Sequence, residues 1–277
     1  MSENPSTSPE IRAPIFIIGA PRSGTSILYE KLARHPDLAW ISNITKKVPD
    51  SLLVTRLIGL FRDDHRPTEA KKIWGRYADL NESKPGRKDA TPRATRFLRR
   101  VVRNNLKLFH KPRFLSKDCG NSLRMEFLDE IFPDAIFIHI IRDGRAVAHS
   151  TLRVRETKDR FWGIRPPGWK DLVDRPAIEA SAMQWEWTLE AVRNSAEGLP
   201  ESRYMEVRYE DFVDDPEGVL RAIGDKCGLE WDAAFLKELV SDVSSQDFKW
   251  RERLSPEEVE MLHGLIGKSL ADLGYET

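Results

Sequence analysis

Apolar residues in this chain come in short unbroken runs separated by stretches with helical spacing. The clearest run, Ile15–Ile18 ("IFII"), leads straight into a glycine and a polar loop. Four consecutive apolar residues bounded by a turn predict a strand buried on both faces, and positions 26–35 behind the loop predict a helix. "HPDLAWIS" then brings the chain back toward the sheet. From about 50 to 110 the pattern is mostly helical, broken by the turn-rich "NESKPGRKDATPR" at 81–93.

Further on, "RFLSK" (113–117) predicts a strand, "SLRMEFLDEIF" (122–132) a helix, and "AIFIHII" (135–141) a second very apolar strand. Another helix is expected near Arg145, one more strand in "RYMEVRYEDF" (203–212), and a helical tail from Ser255. This alternation predicts an α/β domain whose central, mostly parallel sheet is flanked by helices. Residues 1–13, rich in Ser, Pro and charge, read as a disordered leader, which leaves 14–277 as one domain. The segment 156–176 holds too much Pro and Gly for a regular element and carries Phe161, Trp162 and Trp169. It is a candidate lid or acceptor wall.

Composition narrows the function classes. The 277 residues include 44 Lys and Arg against 44 Asp and Glu, so no nucleic acid or acidic membrane is expected as a partner. The basic run "RATRFLRRVVRNNLK" (93–107) has the spacing of a solvated helix face. Cys119 and Cys227 are the only cysteines, which is no disulfide framework. The histidines form no H-x-x-H or H-E-x-x-H pattern, and no metal is expected. The polar start "MSENPSTSPEIRAP" lacks an apolar signal core, and no apolar run approaches the ~20 residues that span a bilayer. The expected compartment is the cytoplasm.

The chemistry concentrates in two places. Gly19-x-x-x-x-Gly24-x-Ser26 has the spacing of a nucleotide phosphate-binding loop, but Thr25 stands where such a loop carries its lysine. A glycine-bearing turn between a buried strand and a helix aims backbone N–H groups and the helix dipole at one point. Arg22, Ser23, Thr25 and Ser26 add side-chain donors there, which suits a multiply charged anion better than a plain turn. In "IIRDGRAVAHS" (140–150), Arg142 ends the second apolar strand and Ser150 lies in the next helix. Ligands bind at that edge of a doubly wound sheet, so a second anion pocket is expected beside the first. The plainer alternative is an ion pair between Arg142 and Asp143 or a neighbouring carboxylate.

These segments resemble the cofactor motifs of sulfotransferases, which use 3′-phosphoadenosine 5′-phosphosulfate (PAPS). "PRSGTS" followed by "HPD", and "RDGRAVAHS" after a Phe-Pro helix end and an apolar strand, are most similar to the tyrosylprotein sulfotransferases and their bacterial relatives. The likeness continues through Lys117-Asp118, "VRYEDFVDDPE" (207–217), Lys249-Trp250 and "LADLGY" (270–275). It covers the chain from about residue 14 onward, with 50–110 and 156–200 matching loosely. The resemblance implies a P-loop NTPase-like fold and transfer of a sulfuryl group from PAPS to an acceptor hydroxyl, releasing adenosine 3′,5′-bisphosphate. It implies that Arg22, Ser23, Gly24, Thr25 and Ser26 hold the 5′-phosphosulfate, and Arg142 and Ser150 the 3′-phosphate. Lys117 matches a lysine at the oxygen bridging sulfate and phosphate, where a cation stabilises the departing charge. Tyr209 and Lys249 match residues near the adenosine bisphosphate, and Trp250 packs either on the adenine or in the core. A kinase needs its loop lysine and a magnesium ion against a triphosphate. A sulfuryl group carries less charge, and the resemblance implies that Arg22 and Lys117 take over that task without a metal.

One departure stands out. Tyrosylprotein sulfotransferases carry a catalytic glutamate in a "GEE" stretch after "HPD", where this chain reads "WISNI" with Ser42 and Asn43. The histidine that cytosolic sulfotransferases place two residues after the lysine is here Cys119. The acceptor proton still needs a base. Asp50, Asp89 and Asp118 are the candidates, Asp89 preferred for its turn-rich loop, and each also reads as a surface or capping carboxylate. A small-molecule, lipid or glycoside acceptor is expected. The rival readings are a nucleotide-binding protein without turnover and a small-molecule kinase with a degenerate loop. Transfer from PAPS is expected to persist in excess chelator; activity abolished by chelation and restored by magnesium would favour the kinase.

Overall fold

Period-two burial organises the sheet. In the computed structural model, which describes residues 10–59, 64–80, 84–155, 157, 161–244 and 250–276, the first apolar run is strand β1 (Ile15–Ile18). Phe16 and Ile18 point into one core and Ile15 and Ile17 into another. The remaining strands are β2 (Leu38–Ala39), β3 (Arg113–Lys117), β4 (Ile136–Ile141) and β5 (Tyr204–Arg208). They lie in the order β2-β3-β1-β4-β5. Every pairing between these strands is parallel, as buried apolar runs joined by helices require.

The helices are α1 (Thr25–Leu32), α2 (Leu52–Gly59), α3 (Lys71–Trp74), α4 (Pro92–Phe109), α5 (Met125–Ile131) and α6 (Gly144–Arg155). They continue with α7 (Ala177–Ala196), α8 (Tyr209–Asp214), α9 (Pro216–Cys227), α10 (Ala233–Leu239) and α11 (Pro256–Asp272). Their ends follow local chemistry. Thr91 accepts the Ala94 N–H ahead of Pro92 in α4, and Asp215 does the same for Gly218 ahead of Pro216 in α9. Ser255 and Glu258 form a reciprocal capping box at α11. On one face of the sheet Phe16 stacks on Phe137 at 5.7 Å and meets the edge of Trp74 at 5.6 Å, beneath α4 and α5. On the other, α1, α8, α9 and α10 cover Ile15, Ile17, Ile138 and Val207. A third cluster at the carboxyl end joins α6, α7 and α11 around Trp185 and Trp250.

Three boundaries differ from the sequence reading. The strand expected over 203–212 ends at Arg208, because Glu210 and Asp211 favour a helix N-terminus and start α8. The helix expected over 122–132 opens as a 3-10 turn at Cys119–Leu123, whose Asp118 cap accepts the Gly120 N–H. Within the expected leader, positions 10–13 are in contact with the domain. Ile11 is buried, and the Ala13 carbonyl accepts from the Arg113 guanidinium at 2.6 Å.

His139, in the middle of β4, is buried and bonded through Nδ1 to the Tyr204 hydroxyl at 2.8 Å. Burial pushes its pKa down to about 4 despite the nearby Glu206 carboxylate. The folded state therefore holds fewer protons than the unfolded one below the ordinary histidine pKa of about 6.5. Stability contributed by the neutral ring is complete above that value and lost as pH falls toward 4. Denaturant titrations should show the wild type losing about 3 kcal/mol more than His139→Gln between pH 6.5 and pH 4.

Candidate active site

The register of the sheet brings four loops to one edge. Ile17 pairs with Lys117, Ile18 with His139, and Ile141 with Arg208. The loop after β1, the Lys117–Cys119 corner after β3, Arg142 after β4 and Tyr209 after β5 therefore leave the sheet side by side, at the carboxyl ends where open α/β sheets bind ligands.

The β1 loop is built on two close approaches. Gly19 has φ +148° and lies so near the Ile140 carbonyl that a Cβ would sit 2.4 Å from it; Ser122 Oγ accepts its N–H at 2.9 Å. Gly24 has φ +91° and lies under the Tyr209 ring. Between them Arg22 is left-handed at φ +73°, a conformation that costs a non-glycine residue about 1–2 kcal/mol. Gly24 is the N-cap of α1 and has no side chain to bond the first-turn N–H groups. The opening turn of α1 thus keeps its donors and its partial positive charge available.

Two cavities meet at this loop. The first, about 490 Å³, is lined by Arg22, Gly24, Thr25 and Ser26, by Arg142, Ser150 and Arg153, and by Tyr209 and Trp250. Within it Arg22 Nε donates to Ser150 Oγ at 2.9 Å, and Arg142 Nη1 donates to the Arg22 carbonyl at 3.1 Å. The Arg142 guanidinium lies 4.4 Å over the Tyr209 ring. Asp143 is gripped by Arg145, Nη2 to Oδ2 at 2.8 Å, and Arg145 in turn covers the Trp250 ring at 4.5 Å. Trp250 therefore belongs both to the third core cluster and to the cavity wall. These uncapped N–H groups and gathered guanidiniums fit a nucleotide with phosphates at both ends.

The second cavity, about 470 Å³, shares Arg22, Thr25 and Ser26 with the first. It is also lined by Glu69, Lys71, Lys117 and Cys119 and by Leu80, Phe161, Trp162 and Ile164, with Cys119, Leu80 and Ile164 packed in one cluster. Lys117 is buried; Nζ donates to Ser26 Oγ at 3.0 Å and is ion-paired with Glu69. Glu69 also receives Lys71 at 2.9 Å. Burial works to raise the Glu69 carboxyl, but the two lysines outweigh it and hold the group below the usual range. The wall at 161–165 is fixed to α7, since Gln184 Nε2 donates to the carbonyls of Trp162 and Ile164 at 3.1 and 2.5 Å.

Several sequence-level candidates land elsewhere. Ser23 is fully buried, and its hydroxyl faces inward toward Trp185 and Leu189. Lys249 lies outside the described residues. Ser42 Oγ accepts the Ile44 and Thr45 N–H groups, and Asn43 bonds Asp64, so both serve a turn. Asp50 pairs with Arg76 at 3.7 Å and Asp89 accepts the Gly86 N–H at 2.9 Å; neither lines these two cavities. Asp118 does line the second, but its oxygens serve Gly120 and Arg124, and burial pushes its carboxyl up. Burial likewise raises the Cys119 thiol. Glu69 went unnoticed because no spacing in "HRPTEAKK" marks it; only tertiary pairing brings it to Lys117. Among the described residues no group of three or more His, Cys, Asp or Glu is gathered as a metal-ligand set, and no helix is long and apolar enough to cross a membrane.

A family model described as the sulfotransferase family matches residues 14–233. The chain belongs to this family. Among curated sulfotransferases it is 27% identical over 253 residues to the omega-hydroxy-beta-dihydromenaquinone-9 sulfotransferase Stf3 of Mycobacterium tuberculosis, covering 78% of this chain and 63% of that protein. It is 26% identical over 218 residues to protein-tyrosine sulfotransferase A of Caenorhabditis elegans, covering 79% and 50%. The chain thus spans less than two thirds of either relative. The fold matches the crystal structure of sulfotransferase STF9 from Mycobacterium avium with a TM-score of 0.65 at 17% identity, over 96% of this chain and 78% of that one.

Gly24 and Gly228 separate backbone strain from contact. Both have positive φ, but a Cβ at Gly24 would meet the Tyr209 ring at 2.3 Å and one at Gly228 would meet nothing. Gly228→Ala should therefore cost only about 1–2 kcal/mol in chemical denaturation. Gly24→Ala should cost more and should also weaken binding of adenosine 3′,5′-bisphosphate, measured by calorimetry.

Proposed function

We propose that this sulfotransferase-family chain moves a sulfuryl group from PAPS to a hydroxyl acceptor and releases adenosine 3′,5′-bisphosphate. The observation that carries the reading is the pair of cavities joined at Arg22, Thr25 and Ser26. Group transfer requires donor and acceptor to meet at one point from opposite sides. One cavity offers guanidiniums and aromatic rings, suited to a bisphosphorylated nucleoside. The other offers a buried lysine and an aromatic wall.

In this reading the uncapped turn of α1, with Thr25 and Ser26, holds the 5′-phosphosulfate. Arg22, which lines both cavities, stays with the 5′-phosphosulfate; Arg142 and Ser150 hold the 3′-phosphate, and Tyr209 and Trp250 flank the nucleoside. Lys117 supplies positive charge at the oxygen where the leaving phosphate develops negative charge, a role that calls for no bridging metal. The bond that breaks is the sulfur–oxygen bond of the donor's phosphosulfate, a mixed anhydride whose electron pair leaves with the phosphate. Phe161, Trp162 and Ile164 suit an acceptor with an apolar or planar body, a small molecule, lipid or glycoside aglycone.

Incubation with isotopically labelled PAPS and a panel of alcohols, phenols and glycosides should give labelled product; no transfer to any acceptor or to water would count against the reading. A charge-assisted bond from arginine to phosphate contributes about 1.5–3 kcal/mol, tenfold to more than a hundredfold in affinity. In thermal shift, adenosine 3′,5′-bisphosphate should therefore stabilise the protein far more than adenosine 5′-monophosphate at equal concentration. Arg142→Ala should remove most of that difference, and equal stabilisation of the wild type by both nucleotides would overturn the 3′-phosphate assignment.

A further inference from the structure

We propose that Glu69 is the general base that takes the proton from the acceptor hydroxyl. The inference rests on the sulfotransferase reading and adds the group that reading lacks. Among the described residues, Glu69 and Asp118 are the carboxylates lining the second cavity. Asp118 is 2% exposed, caps the turn at Gly120 and is bonded to Arg124. The Glu69 side chain keeps 33% exposure and touches Lys117, which itself touches Ser26 of the shared loop. A carboxylate, the leaving-group cation and the phosphate loop therefore stand in one chain of contacts.

Backbone pairing explains how a glutamate from a loosely matching segment reaches this place. Ser42 bridges Pro67 in antiparallel fashion. The Thr68 N–H donates to the Ile41 carbonyl at 2.9 Å, and the Asn43 N–H donates to the Arg66 carbonyl at 3.2 Å. The chain entering Glu69 thus lies alongside 41–43.

The Lys117–Glu69 pair gives both groups a partner before substrates arrive. With donor bound, Lys117 has phosphate oxygens to face, and the Glu69 oxygen it held turns to the acceptor while Lys71 keeps the other. The hydroxyl oxygen then forms its bond to sulfur while the sulfur–oxygen bond to the phosphate breaks. The hydroxyl proton passes to the Glu69 carboxylate and later to water, and the electron pair leaves with adenosine 3′,5′-bisphosphate.

The test compares wild type with Glu69→Gln, using labelled PAPS and phenol, 4-nitrophenol or water as acceptors, transfer to water being counted as free sulfate. Phenol and water must lose a proton during transfer, whereas 4-nitrophenol, assayed about one pH unit above neutrality, is mostly ionised and needs no base. Removing a general base lowers rate by roughly 10²–10⁴. Glu69→Gln should bind adenosine 3′,5′-bisphosphate within about threefold of wild type and transfer to phenol or water at least a hundredfold more slowly. Its loss with 4-nitrophenol should stay below about tenfold. Equal losses on all acceptors would make Glu69 a positioning residue for Lys117 and overturn the proposal, as would a variant that keeps pace with wild type. If Glu69→Gln does not fold, Glu69→Asp should show the same unequal losses in smaller degree, and equal ones would overturn the assignment. A wild type that binds no bisphosphate and transfers to none of these acceptors overturns the sulfotransferase reading itself.

Discussion

Strand β1 is hydrogen-bonded on both sides by parallel neighbours, and the site depends on that pairing. A parallel ladder fixes direction as well as register, so every strand that joins it delivers its following loop to the same edge. With β3 on one side and β4 on the other, the turn at Gly19 sits between Lys117 and Arg142. An antiparallel neighbour would carry its loop to the far end of the sheet. The four buried residues Ile15–Ile18 are therefore as much a part of the site as the polar loop they lead into.

Gathering cations at one edge carries an electrostatic cost that the fold offsets locally. Lys117 is 3% exposed, and an ammonium so far from water needs an anion or strong acceptors. Glu69 and Ser26 supply them. Arg142 rests on the Tyr209 ring and donates to the Arg22 carbonyl. Arg22 Nε donates to the Ser150 hydroxyl.

The sheet, its strand directions and the loop that lines the first cavity were legible because they are local. Apolar runs marked β1, β3 and β4, and the glycine spacing marked the phosphate loop. Arg142 and Ser150 followed from their place after a buried strand. Legibility failed where tertiary contact decides. Glu69 stands in an unpatterned segment and reaches Lys117 only because 66–68 pairs with 41–43. Ser23 is fully buried and Arg22 before it is left-handed, and neither residue type announces this in the sequence. The early start of α8 was written in Glu210 and Asp211, but β-forming neighbours on either side of Arg208 masked it.

The two cavities share a partition formed by Arg22 and the opening turn of α1. Thr25 and Ser26 line both, so a substitution at either reshapes two spaces at once. Leu80 and 161–165 line the second cavity and not the first. A change there alters one space and leaves its neighbour as it was, so the second cavity can be redrawn without disturbing the first.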